Sequence, residues 1–231
     1  MDRKRSHIIM MVRAPEKGRV KTRLAASLSE SFVVDLYKHF ISDALAMLNQ
    51  GRHQFTIYYD PPDTESDITG WLGNHFRYKP QSGETLGERI RNALREQFEA
   101  GYKNVIVIGS DSPDLPGSFL DEALLSLEEN DAVIGPSRDG GYYLIGFHKE
   151  AFLTEAFDGI AWGTERVYSQ TMTVFQKHVY NVHVLQEWYD IDRFEDLKDL
   201  FLQNINGDFA HSNTMRFLLN YRDNLIKNDF S

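Results

Sequence analysis

The sequence contains no cysteine, which rules out disulfides, thiolate catalysis and cysteine-type zinc sites and leaves the redox compartment unread. It has no long apolar run. The first hydrophobic stretch, residues 8–12, ends at Arg13, too short for a signal-peptide core or a membrane span. A cytoplasmic location and no membrane partner are therefore expected. Positive charge is scarce: 25 Lys and Arg stand against 34 Asp and Glu, for a net charge of −9. That balance argues against nucleic acid as a partner, because such binding rests on neutralising phosphates along a backbone. The eight histidines are scattered without the H-x-x-x-H spacing that holds zinc. Internal repeats, low-complexity tracts and Pro/Gly/Ser-rich linkers are also missing. The 231 residues thus read as one domain over 1–231, with 203–231 a C-terminal helical extension.

What is present is an alternation of short apolar runs and helical patterns. Val105, Ile106, Val107 and Ile108 form a run suited to a strand buried on both faces. Similar signals mark strands at 8–12, 54–59, 132–135, 142–147 and 180–185, with a short extended piece at 77–80. Apolar residues at helical spacing predict helices at 28–48, 67–76, 81–100, 119–129, 164–178, 189–202 and 211–226. Strands alternating with helices give an α/β fold with a mostly parallel sheet.

Two loops carry the chemistry. Asp111 follows the 105–108 run, at the carboxyl end of a strand, where open α/β sheets place ligands. A carboxylate fixed there suits Mg²⁺, which prefers oxygen ligands and keeps part of its shell for water and phosphate. Equally, Asp111 reads as a helix cap or a turn residue. After the first strand, Arg13, Lys17, Arg19, Lys21 and Arg23 crowd one loop together with Gly18. Alternating cations beside a glycine suit a di- or triphosphate, although the Gly spacing of a Walker loop is missing. Asp192 is either a second ligand or a helix cap paired with Glu195. Asp139, followed by Gly140, Gly141 and Tyr142, is either a general base toward an acceptor hydroxyl or part of a glycine turn. Trp162 either stacks on a ring or fills a gap in the core.

Five segments occur together and in order: Pro15-Glu-Lys-Gly-Arg-Val-Lys-Thr-Arg-Leu24, Gly83-Glu-Thr-Leu-Gly-Glu-Arg89, Gly109-Ser-Asp-Ser-Pro-Asp-Leu-Pro116, Gly135-Pro-Ser-Arg-Asp-Gly-Gly-Tyr-Tyr-Leu-Ile-Gly146 and Asp190-Ile-Asp-Arg-Phe-Glu-Asp-Leu197. This set resembles the GT-A-fold nucleotide-diphospho-sugar transferase superfamily, in a bacterial subfamily labelled glycosyltransferase. More distantly it resembles the phospholactate and molybdenum-cofactor guanylyltransferases. The resemblance implies a Rossmann-like three-layer α/β/α sandwich with a mixed, mostly parallel sheet. It also implies a nucleotide or nucleotide-sugar donor, a small-molecule acceptor, and Mg²⁺ or Mn²⁺ as cofactor. By the same resemblance Arg13, Lys17, Gly18, Lys21 and Arg23 hold the donor's phosphates. Gly83, Leu86 and Gly87 lie near its base or ribose, and Asp111 and Asp192 bind the metal. Asp139, Gly140, Gly141, Tyr142 and Trp162 face the acceptor, with Asp111, Asp139, Lys21 and Arg23 carrying the catalysis.

The expected activity is metal-dependent glycosyl transfer. One alternative is nucleotidyl transfer from a nucleoside triphosphate with release of pyrophosphate; another is a nucleotide-binding module without turnover. Both transfer readings require Asp111 to lie within about 10 Å of Asp192 or Lys21, the reach of one cation and its oxygen shell; the binding module would depend on neither Mg²⁺ nor Asp111.

Overall fold

The computed structural model describes residues 5–227. In chain order the elements are β1 (Ser6–Arg13), α1 (Thr22–Ala25), α2 (Glu30–Gln50), β2 (Phe55–Asp60), α3 (Glu65–Leu72), β3 (Tyr78–Pro80), α4 (Leu86–Glu99), β4 (Asn104–Ile108) and α5 (Gly117–Ser126). There follow β5 (Ala132–Pro136), β6 (Tyr142–His148), α6 (Val167–Lys177), β7 (Val182–Val184), α7 (Phe194–Asn204), α8 (Asn213–Leu219) and α9 (Arg222–Lys227).

All seven strands join one sheet in the order β3-β2-β1-β4-β6-β5-β7. Only β6 runs against its neighbours, antiparallel to β4 and to β5; the remaining pairs are parallel. The sheet is therefore mixed and mostly parallel, as expected. The middles of its central strands are mostly apolar because both faces are covered. Alternate residues of β1 show this. Ile8, Met10 and Val12 pack on one side with Tyr37, Ile41 and Leu48 of α2 and Leu120 and Leu124 of α5. Ile9 points to the other side, toward Ile90 and Leu94 of α4 and Phe175 of α6.

A third apolar cluster lies outside the sheet. Phe32, Val33, Leu36 and Phe40 of α2 meet Leu197, Leu200 and Phe201 of α7 and Met215 and Leu218 of α8. The α2 helix thus buries two stripes, one on the sheet and one under the C-terminal helices. Asp43 ties the second contact. Its carboxylate accepts from Asn213 N, Asn213 Nδ2 and Thr214 N, each at 2.8 Å, satisfying donors at the start of α8 that no helical carbonyl can reach.

Several boundaries differ from those expected. Residues 22–25, read as loop, form one helical turn. The α2 helix starts at Glu30 because Ser29 Oγ accepts from Phe32 N and caps it. The α3 helix covers Glu65–Leu72, since Gly73 ends it before Phe76. The strand expected at 180–185 shortens to Val182–Val184. The α7 helix begins at Phe194, because Asp196 reaches back to the amides of Asp192 and Arg193 and caps the helix there. The helix expected over 211–226 is two, α8 and α9, with a break at 220–221. Among the described residues no helix is long and apolar enough to cross a membrane.

Candidate active site

The carboxyl ends of β1 and β4 lie side by side, since the two strands pair in parallel register. Their following loops therefore open onto the same edge of the sheet. A third segment joins them: Ile191 N donates to Asp111 O at 2.9 Å. This backbone bond brings residues 190–192 alongside the β4 loop from a distant part of the chain.

Lys21 is where the three segments meet. Its backbone is in the left-handed region (φ 48°, ψ 46°) at the entrance of α1, uncommon for a residue with a side chain. Its ammonium lies 2.7 Å from Asp111 Oδ1 and 3.3 Å from Asp192 Oδ1. Arg23 Nη1 reaches the other oxygen of Asp192 at 3.2 Å. The Lys21 side chain is only 3% exposed, whereas those of Asp111 and Asp192 are 45% and 33% exposed. The carboxylates thus look into the cleft while the ammonium sits behind them, 6.0 Å from the Phe40 ring centroid. Burial works against its charge, but the Asp111 and Asp192 carboxylates outweigh it and hold the Lys21 pKa above the usual value. The convergence that a shared cation and phosphate site requires is met.

Behind this pair stands Asp190. It accepts from Ser112 Oγ at 2.7 Å and from Ser137 Oγ at 3.0 Å. Burial, with the neighbouring Asp111 charge, pushes its carboxyl up to about 6, against the Ser112 hydrogen bond. Tyr37 completes the wall. Its hydroxyl accepts from Arg13 N at 3.0 Å and lies 3.2 Å from Ser110 Oγ. Burial, and then the Asp111 charge, raise it to about 12. Asp114, three residues after Asp111, faces elsewhere. It accepts from Trp188 Nε1, Tyr189 Oη and Asn204 Nδ2, and so latches the loop to α7.

The cleft has a volume of about 1490 Å³. Arg13, Arg19, Lys21, Arg23, Asp111 and Asp192 line it, as do Asp139, Gly141, Tyr142, Trp162, Arg138 and Arg166, with Leu86 at the start of α4. Lys17, Gly18, Gly83, Gly87 and Gly140 do not line it. Three of these glycines serve packing. Gly83 (φ +131°) leaves no room for a Cβ, which would come 2.7 Å from Glu88 Cβ. At Gly87 a Cβ would meet the Trp162 indole at 2.6 Å, so the tryptophan lies against the helix start. At Gly140 (φ +87°) a Cβ would lie 2.1 Å from the backbone oxygen of Glu165. Tyr168 N donates to Gly140 O across the same contact. The 139–141 turn and the loop carrying Trp162 are thus joined main chain to main chain. Asp139 Oδ1 accepts from Gly141 N at 2.9 Å, which fixes the turn. The Tyr142 ring meets Trp162 edge-on at 6.2 Å.

Of the two readings for Asp192, the helix cap is corrected: Asp196, not Asp192, caps α7, and the Asp192 carboxylate turns to Lys21 and Arg23. Wall residues that went unassigned at the sequence level include Tyr37, Gln81, Arg138, Arg166 and Asp190. Gln81 donates its amide to Val12 O and Tyr58 O, fixing the 81–85 loop beside β1. Its only sequence signal was a polar residue closing an extended piece.

Among the described residues no group of three or more histidine, aspartate or glutamate side chains forms a metal cluster. Two exposed carboxylates around one cationic centre nevertheless fit Mg²⁺ or Mn²⁺, since such ions take one or two protein carboxylates and complete their shell with water and phosphate oxygens. The Lys21 ammonium marks the place between Asp111 and Asp192 where positive charge is held.

Comparison with known proteins agrees with the fold. Residues 44–164 match the family described as "Uncharacterized protein conserved in bacteria (DUF2064)". A crystal structure from Desulfovibrio desulfuricans G20, described as a candidate nucleotide-diphospho-sugar transferase, is 38% identical with a TM-score of 0.93, and the match covers 97% of both chains. The 2-phospho-L-lactate guanylyltransferase of Methanocaldococcus infernus is 24% identical over 202 residues, 86% of this chain and 84% of that one. The 4-diphosphocytidyl-2C-methyl-D-erythritol synthase of Anaerococcus prevotii shares the fold at 16% identity and a TM-score of 0.57, over 88% of this chain and all of the other. The chain therefore belongs to the DUF2064 family, within the nucleotide-diphospho-sugar transferase superfamily, and is a transferase.

Proposed function

We propose that this chain is a nucleotidyltransferase that joins a nucleoside triphosphate to a small phosphorylated acceptor and releases pyrophosphate. The observation that carries the reading is the buried Lys21 ammonium between Asp111 and Asp192, with Arg23 on the second oxygen of Asp192. Two cations are thus held at the cleft edge where a triphosphate's leaving end would lie. Glycosyl transfer, favoured by the sequence alone, has less support, because relatives spanning most of the chain are named guanylyltransferases.

Lys21, Arg23 and Arg13 hold the donor's phosphates and stabilise charge growing on the pyrophosphate. Asp111 and Asp192 would hold Mg²⁺ or Mn²⁺, which when bound neutralises phosphate charge and orients the oxygens. Arg138 and Arg166 offer cations to the acceptor's phosphate beside the Trp162 face. One of that phosphate's oxygens attacks the donor's α-phosphorus. The bond from that phosphorus to the bridging oxygen breaks, and pyrophosphate departs with the electron pair. A phosphate monoester, with its second pKa near 6, is already largely ionised at neutral pH. Asp139 therefore removes no proton; it shapes the turn that the acceptor meets. We take residues 1–231 as one catalytic domain, with 203–231 as its C-terminal extension, of which α8 packs on α2.

The test is incubation with each nucleoside triphosphate, Mg²⁺ or Mn²⁺, and a panel of small phosphorylated acids, following pyrophosphate. Pyrophosphate release that depends on the acceptor is the expected result. Release of nucleoside diphosphate from a sugar nucleotide, with no pyrophosphate from any triphosphate, would restore glycosyl transfer. Nucleotide binding without any turnover would leave only a binding module.

A further inference from the structure

We infer that Lys21 is the stand-in for the divalent cation: before nucleotide binds, its ammonium fills the seat between Asp111 and Asp192 and keeps a free metal ion out. The inference rests on the proposed metal-dependent transfer, and it adds an order of binding that this reading does not contain.

Three observations lead to it. The ammonium lies within hydrogen-bond reach of one oxygen of each carboxylate, the two groups that would otherwise grip an ion. The lysine is almost wholly buried while both carboxylates remain partly exposed, so an incoming ion meets the carboxylates from the cleft and the lysine from behind. Asp190 adds a third carboxyl close by, but it is engaged by Ser112 and Ser137 and offers the ammonium no hydrogen bond as an alternative seat.

Charge accounting then sets the order. A free Mg²⁺ or Mn²⁺ entering between Asp111 and Asp192 would strand a buried ammonium beside a like charge, and an uncompensated buried charge is strongly unfavourable. A triphosphate removes that penalty because it brings its own anionic oxygens. Lys21 can then leave the carboxylates for a phosphate without losing a partner. Its long, flexible stem, with an ammonium acting as a point charge, allows such a transfer where an arginine fork would not. Lys21 thus acts as a positioning residue for the metal as well as a phosphate ligand, and nucleotide and metal enter together.

The test is Mn²⁺ titration of the whole chain without nucleotide, read by electron paramagnetic resonance of the free ion. Wild type is expected to bind Mn²⁺ only weakly. Lys21→Met, with the seat vacated and both carboxylates free, is expected to bind at least about tenfold tighter, a difference near 1.4 kcal/mol. Adding Asp111→Asn to Lys21→Met should abolish the gain. A folded Lys21→Met chain that binds Mn²⁺ no tighter than wild type would overturn the inference, as would tight wild-type binding in the absence of nucleotide. Should Lys21→Met fail to fold, Lys21→Gln, which keeps a donor in the seat without the charge, is read by the same criterion. The pyrophosphate assay answers separately. A gained Mn²⁺ site in a chain that turns over no nucleotide would sustain the stand-in role and remove the transferase mechanism; metal-dependent turnover by wild type without a gained site in the variants would do the reverse.

Discussion

Replacing Asp139 by asparagine separates the two transfer chemistries. The Asp139 side chain already has one structural role, since its Oδ1 accepts the Gly141 amide at 2.9 Å and closes the turn. Asparagine keeps that oxygen and nearly the same volume, so the turn and its contact with Glu165 should persist. What the substitution removes is the negative charge and the capacity to take a proton. A general base toward a hydroxyl acceptor is worth roughly 10²–10⁴-fold in rate. A phosphate acceptor needs no such base, so the proposed nucleotidyl transfer predicts a change in kcat of less than about fivefold, well below that range. The assay is steady-state pyrophosphate release at saturating triphosphate, with circular dichroism to confirm an unchanged fold. A loss of about a hundredfold in a folded Asp139→Asn chain would refute the reasoning and return Asp139 to the role of base.

The remaining predictions concern the other carboxylates and the core. Asp111→Asn should lower kcat/KM for pyrophosphate release by at least about 10²-fold, the scale of a lost electrostatic contact to the reacting phosphates, and should lessen the response to added Mn²⁺. Asp43→Ala should cost about 3 kcal/mol in urea unfolding, since it removes three bonds to a buried carboxylate and leaves donors at the start of α8 unsatisfied; a cost under about 1 kcal/mol would show that α8 is held by its apolar contacts alone. His7 gives a pH dependence. It is fully buried, bonded through Nε2 to Thr56 Oγ1, and burial, then the Arg77 charge, lowers its pKa to about 4. The unfolded chain takes up a proton near pH 6.5 that the folded chain refuses, so this contribution is complete above pH 6.5 and declines as pH falls toward 4, by up to about 3 kcal/mol. The urea midpoint of wild type should fall further between about pH 7 and about pH 4.5 than that of His7→Phe.

The sheet's interior was legible because burial on both faces leaves an unbroken apolar run, as in 105–108. The direction of β6 was not, since hydrophobic pattern is the same for parallel and antiparallel pairing. The break between α8 and α9 stayed hidden because Leu218, Tyr221 and Leu225 keep helical spacing across it. At the site, Asp111 was legible from its place after a strand. Lys21 was legible only as one of several loop cations, all read as facing a ligand. Its burial depends on Asp111 and Asp192 meeting, and that depends on the bond from Ile191 N to Asp111 O, a contact between distant segments that no local pattern encodes. Asp190, read inside the opening of the 189–202 helix, was given no role for the same reason.

If these two segments meet the acceptor as proposed, the main-chain seam joining Gly140 to Glu165 and Tyr168 would constrain how acceptor preference can change. Because neither segment can shift without dragging the other, swapping one alone from a relative would pry the seam open. Exchanging 138–142 together with 159–168 should instead transplant a whole acceptor wall, and substrate preference in this family would then be inherited as a matched pair of loops, not one residue at a time.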